Sequence, residues 1–132
     1  MSKPNPTDRI YSKDHEWIKD NGDGTALVGI TDYAQEMLTD IVFVELPEIG
    51  KIIKQGDAMA VVESVKSVSD VYAPASGEIV ETNKVLEETP EFINKDAFGE
   101  GWIAKIKLSD KEELKSLMGA DEYEKLTKEE KH

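Results

Sequence analysis

The sequence predicts a mainly β fold, a pseudo-symmetric flattened barrel or sandwich of two antiparallel sheets with a few short helices. Short β-branched runs separated by turn residues recur between residues 17 and 108. The segment 50–59 repeats without gaps at 77–86, with its glycine, isoleucine and other apolar positions in register. Gly56 matches Asn83 in this repeat, and both residue types accept the left-handed backbone conformation. Between the two copies a single basic residue, Lys66, interrupts an apolar run, and burying its ammonium inside a strand would cost several kcal/mol. The chain must therefore turn at Lys66 and expose it between two similar halves.

The N-terminal part predicts a hairpin followed by a short helix. The run Asn-Gly-Asp-Gly at 21–24 is typical of a hairpin turn because Asn and Gly tolerate positive φ, and strands over 17–19 and 26–30 flank it. Thr31-Asp32 predicts the start of a short helix, and Gln35 follows Asp32 three residues later as in a capping box with Asp32 at its head. Further strands are predicted over 41–46, 52–53, 58–62, 68–73, 77–82 and 102–108.

The C-terminal part predicts helices. Thr89-Pro90 indicates a helix start because proline is favoured at the first helical position. Ser109 and Glu112 form a second capping-box pattern, and the apolar stripe that follows it stops at Gly119. A short helix over 121–126 and a frayed charged tail over 127–132 complete the chain. We expect one domain over 1–132, with a flexible segment 1–10, a hairpin core over 41–86 and C-terminal helices over 109–127.

Composition narrows the classes of function. The net charge of −12 repels phosphate backbones and anionic lipid, so it favours neither nucleic acid nor a membrane as partner. It would attract basic patches on other proteins, although it also suffices to keep a small protein soluble. The chain has no cysteine, which removes thiol chemistry and leaves cytosol and organelle matrix open. No nucleophile–base pair, phosphate-binding loop or spaced metal ligands stand out, so we expect neither intrinsic catalysis nor a metal site.

The residues around Lys66 point to a family. The run Glu-Ser-Val-Lys-Ser-Val-Ser-Asp at 63–70 looks like a lipoyl-attachment motif. Gly50 and Gly77 stand sixteen residues before and eleven after Lys66, where lipoyl domains are similar in carrying glycine. Other similar segments are 15–17, 29–35, 42–47 and 99–102. Over residues 11–126 the chain therefore resembles the biotinyl/lipoyl carrier domains and, within them, the H-protein family of the glycine cleavage system.

The resemblance implies a barrel-sandwich hybrid whose Lys66 carries lipoate through an amide. It implies a monomeric carrier that is not itself an enzyme, with chemistry supplied by partner enzymes. Those partners are glycine decarboxylase with pyridoxal phosphate, a tetrahydrofolate-dependent aminomethyltransferase, the FAD enzyme dihydrolipoamide dehydrogenase, and a lipoate ligase or a lipoyl or octanoyl transferase. The implied compartment is the cytoplasm of a bacterium, or the mitochondrial matrix for a mature eukaryotic form.

The resemblance also implies roles for individual residues. Glu63, three residues before Lys66, would help the attaching enzyme recognise the hairpin, with Gly50 and Gly77 mainly giving shape. An aminomethyl group on the arm would need protection from water, so carboxylates should bind its ammonium in a cleft. Glu16, Asp70 and Asp14 are the residues implied for that cleft. The alternative for all three is a solvated surface charge. Asp70 could equally be one, and for Asp14 the surface charge is the favoured interpretation.

Alternatives remain open from the sequence. Biotin carriers place methionine on both sides of the modified lysine, whereas Val65 and Ser67 stand here. Two local departures from the H-protein pattern are Asp14, where serine occurs, and Ala97-Phe98, where Pro-Tyr is usual. An H-like protein could act mainly as a lipoyl donor in a lipoylation relay. A β-rich interaction module with an unmodified Lys66 is the other alternative.

Overall fold

Two antiparallel sheets form the body of the protein, which we describe from a computed structural model covering residues 4–130. Within those residues the larger sheet has six strands in the order β1-β2-β3-β9-β8-β5, and the smaller has three in the order β4-β6-β7. The sheets pack face to face as a sandwich and do not close into a barrel. The strands are β1 (Ile10–Tyr11), β2 (Glu16–Asp20), β3 (Thr25–Ile30), β4 (Ile41–Glu45), β5 (Ile52–Ile53), β6 (Ala58–Ser64), β7 (Val68–Tyr72), β8 (Gly77–Thr82) and β9 (Ala104–Leu108). The predicted mainly β fold class is confirmed.

The short helix after the N-terminal hairpin is present as α1 (Asp32–Leu38). Its N-cap is Thr31 rather than the expected Asp32, because Thr31 has the extended backbone and its Oγ1 accepts the Ala34 N–H at 3.1 Å. Asp32 is instead the first helical residue, and its Oδ1 accepts a hydrogen bond from the Gln35 side chain at 3.0 Å. The capping pattern therefore located the helix but placed its start one residue late.

The two copies of the internal repeat, 50–59 and 77–86, pair with each other about a pseudo-two-fold axis. Ile52 pairs with Glu78 across β5 and β8. The equivalent contact from the other copy is also made, since the Ile79 N–H donates to the Lys51 carbonyl at 2.9 Å. The two halves of the repeat therefore meet in antiparallel register, as expected for a pseudo-symmetric fold.

The copies diverge at their C-terminal ends. Gly56 has a φ of 93°, but Asn83 does not share that left-handed backbone; among residues 4–130 the non-glycine residues with positive φ are His15 and Thr39. The Asn83 side chain instead donates to two backbone carbonyls, those of Glu100 and Trp102. The expected equivalence of Gly56 and Asn83 is therefore wrong, because a side-chain amide, not a backbone conformation, shapes the second copy.

The helices of the second half differ in detail from their predictions. A four-residue helix α2 (Val85–Glu88) follows β8, where no regular element was expected. The helix predicted from Thr89-Pro90 is α3 (Phe92–Lys95). The first C-terminal helix is a 3-10 helix, Lys111–Ser116, and its N-cap is Asp110 rather than Ser109, since Asp110 Oδ1 accepts the Glu112 N–H at 3.0 Å.

The last helix extends further than predicted. It is α4 (Ala120–Glu130), which includes four residues of the tail that was expected to fray. Tyr123 and Thr127 are buried on its inner side, and that burial accounts for the continued helix. The final two residues of the predicted tail, 131–132, lie outside the described residues. None of the helices within 4–130 is long and apolar enough to cross a membrane.

Two apolar clusters hold these elements together. The larger fills the space between the sheets with residues from both of them, including Ile18, Val62 and Ile106, all at most 1% exposed. The smaller consists of Tyr11, Trp17 and Tyr123, which join the N-terminal strands to α4. Trp17 is thus a core aromatic, while Trp102 is half-buried against this second cluster.

Arg9 and Ile10, the last two residues of the predicted flexible segment 1–10, contact the body of the protein. Ile10 belongs to β1 and pairs with Ile18. The Arg9 guanidinium lies 4.6 Å from the centroid of the Trp17 ring and donates to the Phe98 carbonyl at 2.8 Å. Residues 1–3 of the expected flexible segment lie outside the described residues.

Candidate functional site

Lys66 is exposed at the tip of the hairpin between β6 and β7. The strands pair antiparallel up to Glu63 opposite Val68, and the Ser64 N–H closes the turn by donating to the Ser67 carbonyl at 2.8 Å. The sequence placed this turn correctly because an ammonium inside a packed strand would be too costly to desolvate. The neighbouring Val65 is also 68% exposed, so the tip projects from the sandwich.

A row of side chains crosses the outer face of the small sheet beside this tip. Phe43 lies opposite Glu63, and Glu63 lies opposite Val68. Residues directly opposite one another in antiparallel strands project from the same face. The Glu63 carboxylate therefore lies between two largely exposed apolar side chains, Phe43 and Val68, next to the lysine tip.

The two glycines flanking the motif are needed for different physical reasons. Gly50 has a φ of 94°, a conformation that disfavours any residue with a Cβ. Gly77 is not a turn residue; it begins β8, and a Cβ there would meet the Lys107 carbonyl oxygen of β9 at 2.2 Å. Both glycines shape the region around the large sheet, whereas the Lys66 hairpin belongs to the small sheet.

A cavity of about 440 Å³ lies near the end of β7 that is opposite the lysine tip. Among the residues that line it are Glu16 and Asp14 from the predicted cleft set. The remaining lining residues are Tyr11, Ser12, Lys13, Gln55, Gly56, Tyr72, Ala73, Pro74, Ser116, Leu117 and Met118. The structure therefore brings two of the three predicted carboxylates to one cavity.

Glu16 is the chemically unusual residue of this cavity because it is only 2% exposed. Ser12 Oγ donates to Glu16 Oε1 at 2.5 Å, and the Tyr72 N–H donates to Oε2 at 3.1 Å. Burial raises the pKa of Glu16 to about 7, and the nearby Asp14 charge adds to this, while the two hydrogen bonds oppose it. A cation beside this carboxyl would favour its ionised form and so lower the pKa.

Asp70 does not line the Glu16 cavity. It is exposed on β7 and borders a separate open groove of about 950 Å³, which is otherwise lined by the segment 45–51 and by residues 58–61 of β6. Along β7, Val68, Asp70 and Tyr72 project from the same face because side chains alternate in a strand. Asp70 therefore stands midway on an exposed stripe that leads from the lysine tip to Tyr72 at the Glu16 cavity.

Sequence reasoning missed Ser12 and Tyr72, the two residues that hold the Glu16 carboxyl. Ser12 lies in the turn before β2, and its Oγ also accepts the Glu16 N–H at 3.1 Å. Its spacing of four residues before Glu16 was the available signal. The sequence held no comparable signal for Tyr72. The contact is made by its backbone N–H and not by its side chain, and that N–H belongs to a strand of the other sheet.

His15 belongs to a structural network. Its Nδ1 lies 2.8 Å from the Tyr123 hydroxyl and its Nε2 lies 3.1 Å from Glu130 Oε1. Thr31 Oγ1 is 2.7 Å from the same hydroxyl, and burial raises the pKa of Tyr123, which keeps that hydroxyl protonated. The network joins α4 to the N-terminal hairpin, so His15 has a structural role. Within residues 4–130 no group of three or more acidic or histidine side chains is arranged to hold a metal ion.

Comparison with known proteins supplies the family. The family model described as "Glycine cleavage H-protein" matches residues 9–130. A glycine cleavage system H protein of Thermus thermophilus is 55% identical over 121 residues, covering 92% of this chain and 94% of that protein. One from Escherichia coli is 54% identical over 125 residues, covering 95% and 97%.

A solved structure agrees with these sequence relatives. The crystal structure of a glycine cleavage system H protein from Mycobacterium marinum superposes with a TM-score of 0.82 at 43% sequence identity. The match covers 90% of this chain and 95% of that one. With the family model spanning nearly the whole sequence and relatives above half identity, this chain belongs to the glycine cleavage H-protein family.

Proposed function

We propose that this chain is the lipoyl carrier of a glycine cleavage system, with lipoate joined to Lys66 Nζ by an amide. The observation that carries the proposal is Lys66 itself, an exposed amine at the tip of a closed hairpin in a chain of this family. In the attachment reaction the Nζ lone pair attacks an acyl carbonyl activated by ATP. The C–N bond forms, the bond from carbon to the leaving phosphate oxygen breaks, and Nζ loses a proton.

The residues present fit such an arm. Lysine stem and acyl chain together reach on the order of 10 Å or more from the backbone. From Val68 to Tyr72 the strand advances four residues, about 14 Å at roughly 3.4 Å per residue. The apolar ends of this stripe suit an alkyl chain, and the cavity beyond it has apolar walls from Leu117 and Met118 with one buried carboxyl.

The chain would supply position and protection, while chemistry comes from the dithiolane and the partner enzymes. When bound, lipoate would accept an aminomethyl group from glycine and later be reoxidised. The partners in the proposal are a pyridoxal-phosphate glycine decarboxylase, a tetrahydrofolate-dependent aminomethyltransferase and an FAD-containing dihydrolipoamide dehydrogenase. Tethering to a rigid scaffold would replace a free intermediate by a locally concentrated one.

Within the chain, we assign the amine-binding end of the cleft to Glu16, supported by Asp14. The Glu16 oxygens are held by Ser12 and the Tyr72 N–H, so the carboxyl faces the cavity in a fixed orientation. An ammonium beside it would favour the ionised carboxylate and gain a charge-assisted hydrogen bond. Asp70, on the stripe between tip and cavity, would attract the cation on its way rather than bind it at the end.

Recognition by the attaching enzyme is the second role we propose for this face. Glu63 stands between Phe43 and Val68 at the tip, where a partner approaching Lys66 must cover it. A lipoate ligase, or a lipoyl or octanoyl transferase, would recognise the Glu63 carboxylate by placing a basic side chain against it. Gly50 and Gly77 contribute to recognition only through the shape that they allow.

Mass spectrometry of the intact protein tests the function. After incubation with lipoate, ATP and a lipoate ligase, the wild type should gain one lipoyl group, and the Lys66→Arg variant should gain none. The modified protein should then support glycine-dependent release of carbon dioxide with glycine decarboxylase. An unmodified wild type would refute the carrier assignment, and modification without glycine-dependent activity would refute the assigned partners.

A further inference from the structure

Besides the Ser64–Ser67 backbone hydrogen bond, the Ser64 hydroxyl holds the turn that carries Lys66. Ser64 Oγ accepts the backbone N–H groups of Lys66 at 3.2 Å and of Ser67 at 3.0 Å, and it lies 3.2 Å from the Ser67 carbonyl. Ser64 is only 9% exposed, so water does not readily replace these bonds. One side chain thus fixes two consecutive amides of the turn, including that of the residue to be modified.

The same turn is held from outside by the corner between α1 and β4. The Val65 N–H donates to the Asp40 carbonyl at 3.0 Å. Asp40 directly follows Thr39, whose φ of 67° is a left-handed conformation that a β-branched residue rarely adopts. This corner would therefore not persist on backbone preference alone, and something must hold it.

Asn94 on α3 is the residue that holds the corner. Its Nδ2 donates to the Thr39 carbonyl at 2.9 Å and to Gln35 Oε1 at 2.8 Å. Its Oδ1 accepts the Ile41 N–H at 2.9 Å. Asn94 therefore binds the backbone on both sides of Asp40, and the chain of contacts runs from α3 through the corner to the amide beside Lys66.

We propose that Ser64 and Asn94 are positioning residues for acylation of Lys66, which together keep the hairpin tip in one backbone geometry. The inference rests on the proposed attachment of lipoate at Lys66. Neither residue touches the acyl group; each acts through the backbone of residues 64–67. An attaching enzyme then meets a preformed turn and does not spend binding energy on ordering it.

The physical consequence is a defined kinetic signature. If loosening leaves the tip in its competent geometry a tenth of the time, the apparent KM for the apoprotein rises by about tenfold. The kcat at saturation stays close to that of the wild type, because the turn is ordered once the complex has formed. A merely structural role would lower thermal stability without producing this split.

The local test compares variants of Ser64. Ser64→Ala should raise KM in the lipoate ligase assay on the order of tenfold with kcat unchanged, and should speed hydrogen exchange at the Lys66 and Ser67 amides. Ser64→Thr keeps the oxygen and should restore both values. The matched control is Ser76→Ala, which removes a hydroxyl bonded to Glu113 and to the Gln55 N–H, distant along the chain from the turn.

The remote test compares two asparagines that each bridge backbone segments. Asn94→Ala should raise KM and speed exchange at the Val65 amide, whereas Asn83→Ala removes two bonds to carbonyls elsewhere and should leave both unchanged. If Asn94→Ala does not fold, Asn94→Asp, which keeps only the acceptor, is judged by the same two values. Equal KM values for Asn94 and Asn83 variants, or for Ser64→Ala and wild type, would overturn the inference. A wild type that is never modified would instead refute the proposed function.

Discussion

Replacing Glu16 with glutamine should stabilise the protein at neutral and alkaline pH. Burial raises the pKa of Glu16 from 4.5 to about 7, so the fold favours the protonated carboxyl. Below pH 4.5 the group is protonated in both folded and unfolded chains and costs nothing. As the pH rises from 4.5 to 7 the unfolded chain gives up this proton first, and stability falls; above pH 7 the full cost persists.

The size of the effect follows from the shift. The two values differ by 7 − 4.5 = 2.5 pKa units, and at 1.36 kcal/mol per unit this amounts to about 3 kcal/mol of unfolding free energy. Glutamine has the shape of the protonated acid: its oxygen can accept the Tyr72 N–H and its amide can donate to Ser12 Oγ. Glu16→Gln should therefore gain up to about 3 kcal/mol at pH 8 and little at pH 4.5.

Urea unfolding of the wild type and of Glu16→Gln at several pH values measures this directly. The difference between the two proteins at each pH cancels contributions from the other carboxylates. Glu45→Gln, at an exposed position of β4, controls for the loss of one negative charge. A difference between wild type and Glu16→Gln that stays constant from pH 5 to 8 would show that Glu16 is not the titrating group. The same variant, when loaded, should lose its aminomethyl group to water faster because the cation has lost its carboxylate partner.

Other substitutions test the hairpin face and the two glycines. Glu63→Ala should slow attachment of lipoate to Lys66, while the free energy of unfolding should fall by no more than about 0.5 kcal/mol. An attachment rate equal to that of the wild type would contradict the recognition role. Gly77→Ala should cost roughly 1–3 kcal/mol in urea unfolding because the new Cβ collides with the Lys107 carbonyl. Gly50→Ala meets no atom within 4 Å and should cost about 1–2 kcal/mol, from its left-handed backbone alone.

The lysine hairpin was predictable because its cause is local. An isolated charge in a β-branched run leaves few options, and the apolar residues on either side of it predict β6 and β7. The N-terminal hairpin was predictable for the same reason, since the Asn-Gly-Asp-Gly turn specifies its own backbone. In these segments propensity, pattern and tertiary packing agree.

Elsewhere neighbouring residues offered equivalent signals, and packing selected between them. Thr31 and Asp32 can both cap a helix, and the side chain that was not used as cap bonded Gln35 instead. Ser109 and Asp110 presented the same choice at the 3-10 helix. Such one-residue errors follow from capping chemistry that several residue types share.

The cleft could not be assembled from sequence because its parts come from distant segments. Whether Asp70 or Tyr72 faces the Glu16 cavity depends on how the small sheet lies over the large one. Strand alternation puts both residues on one face but does not say where the face ends. The contact that decides it joins positions 16 and 72 through a backbone N–H, which no side-chain pattern records.

The central place of β9 in the large sheet has a consequence for biosynthesis. This strand, near the C-terminal end, bridges β3 and β8, so the six-stranded sheet stays in two pieces until residue 108 has been made. The β6–β7 hairpin pairs residues close in sequence, and Asp40 and Asn94, which hold its turn, also precede β9, so it can form on the growing chain. The lysine hairpin should therefore form before the whole domain has folded. A ribosome-bound fragment ending after β8 would leave two pieces of the large sheet, with β3 and β8 as unpaired edge strands.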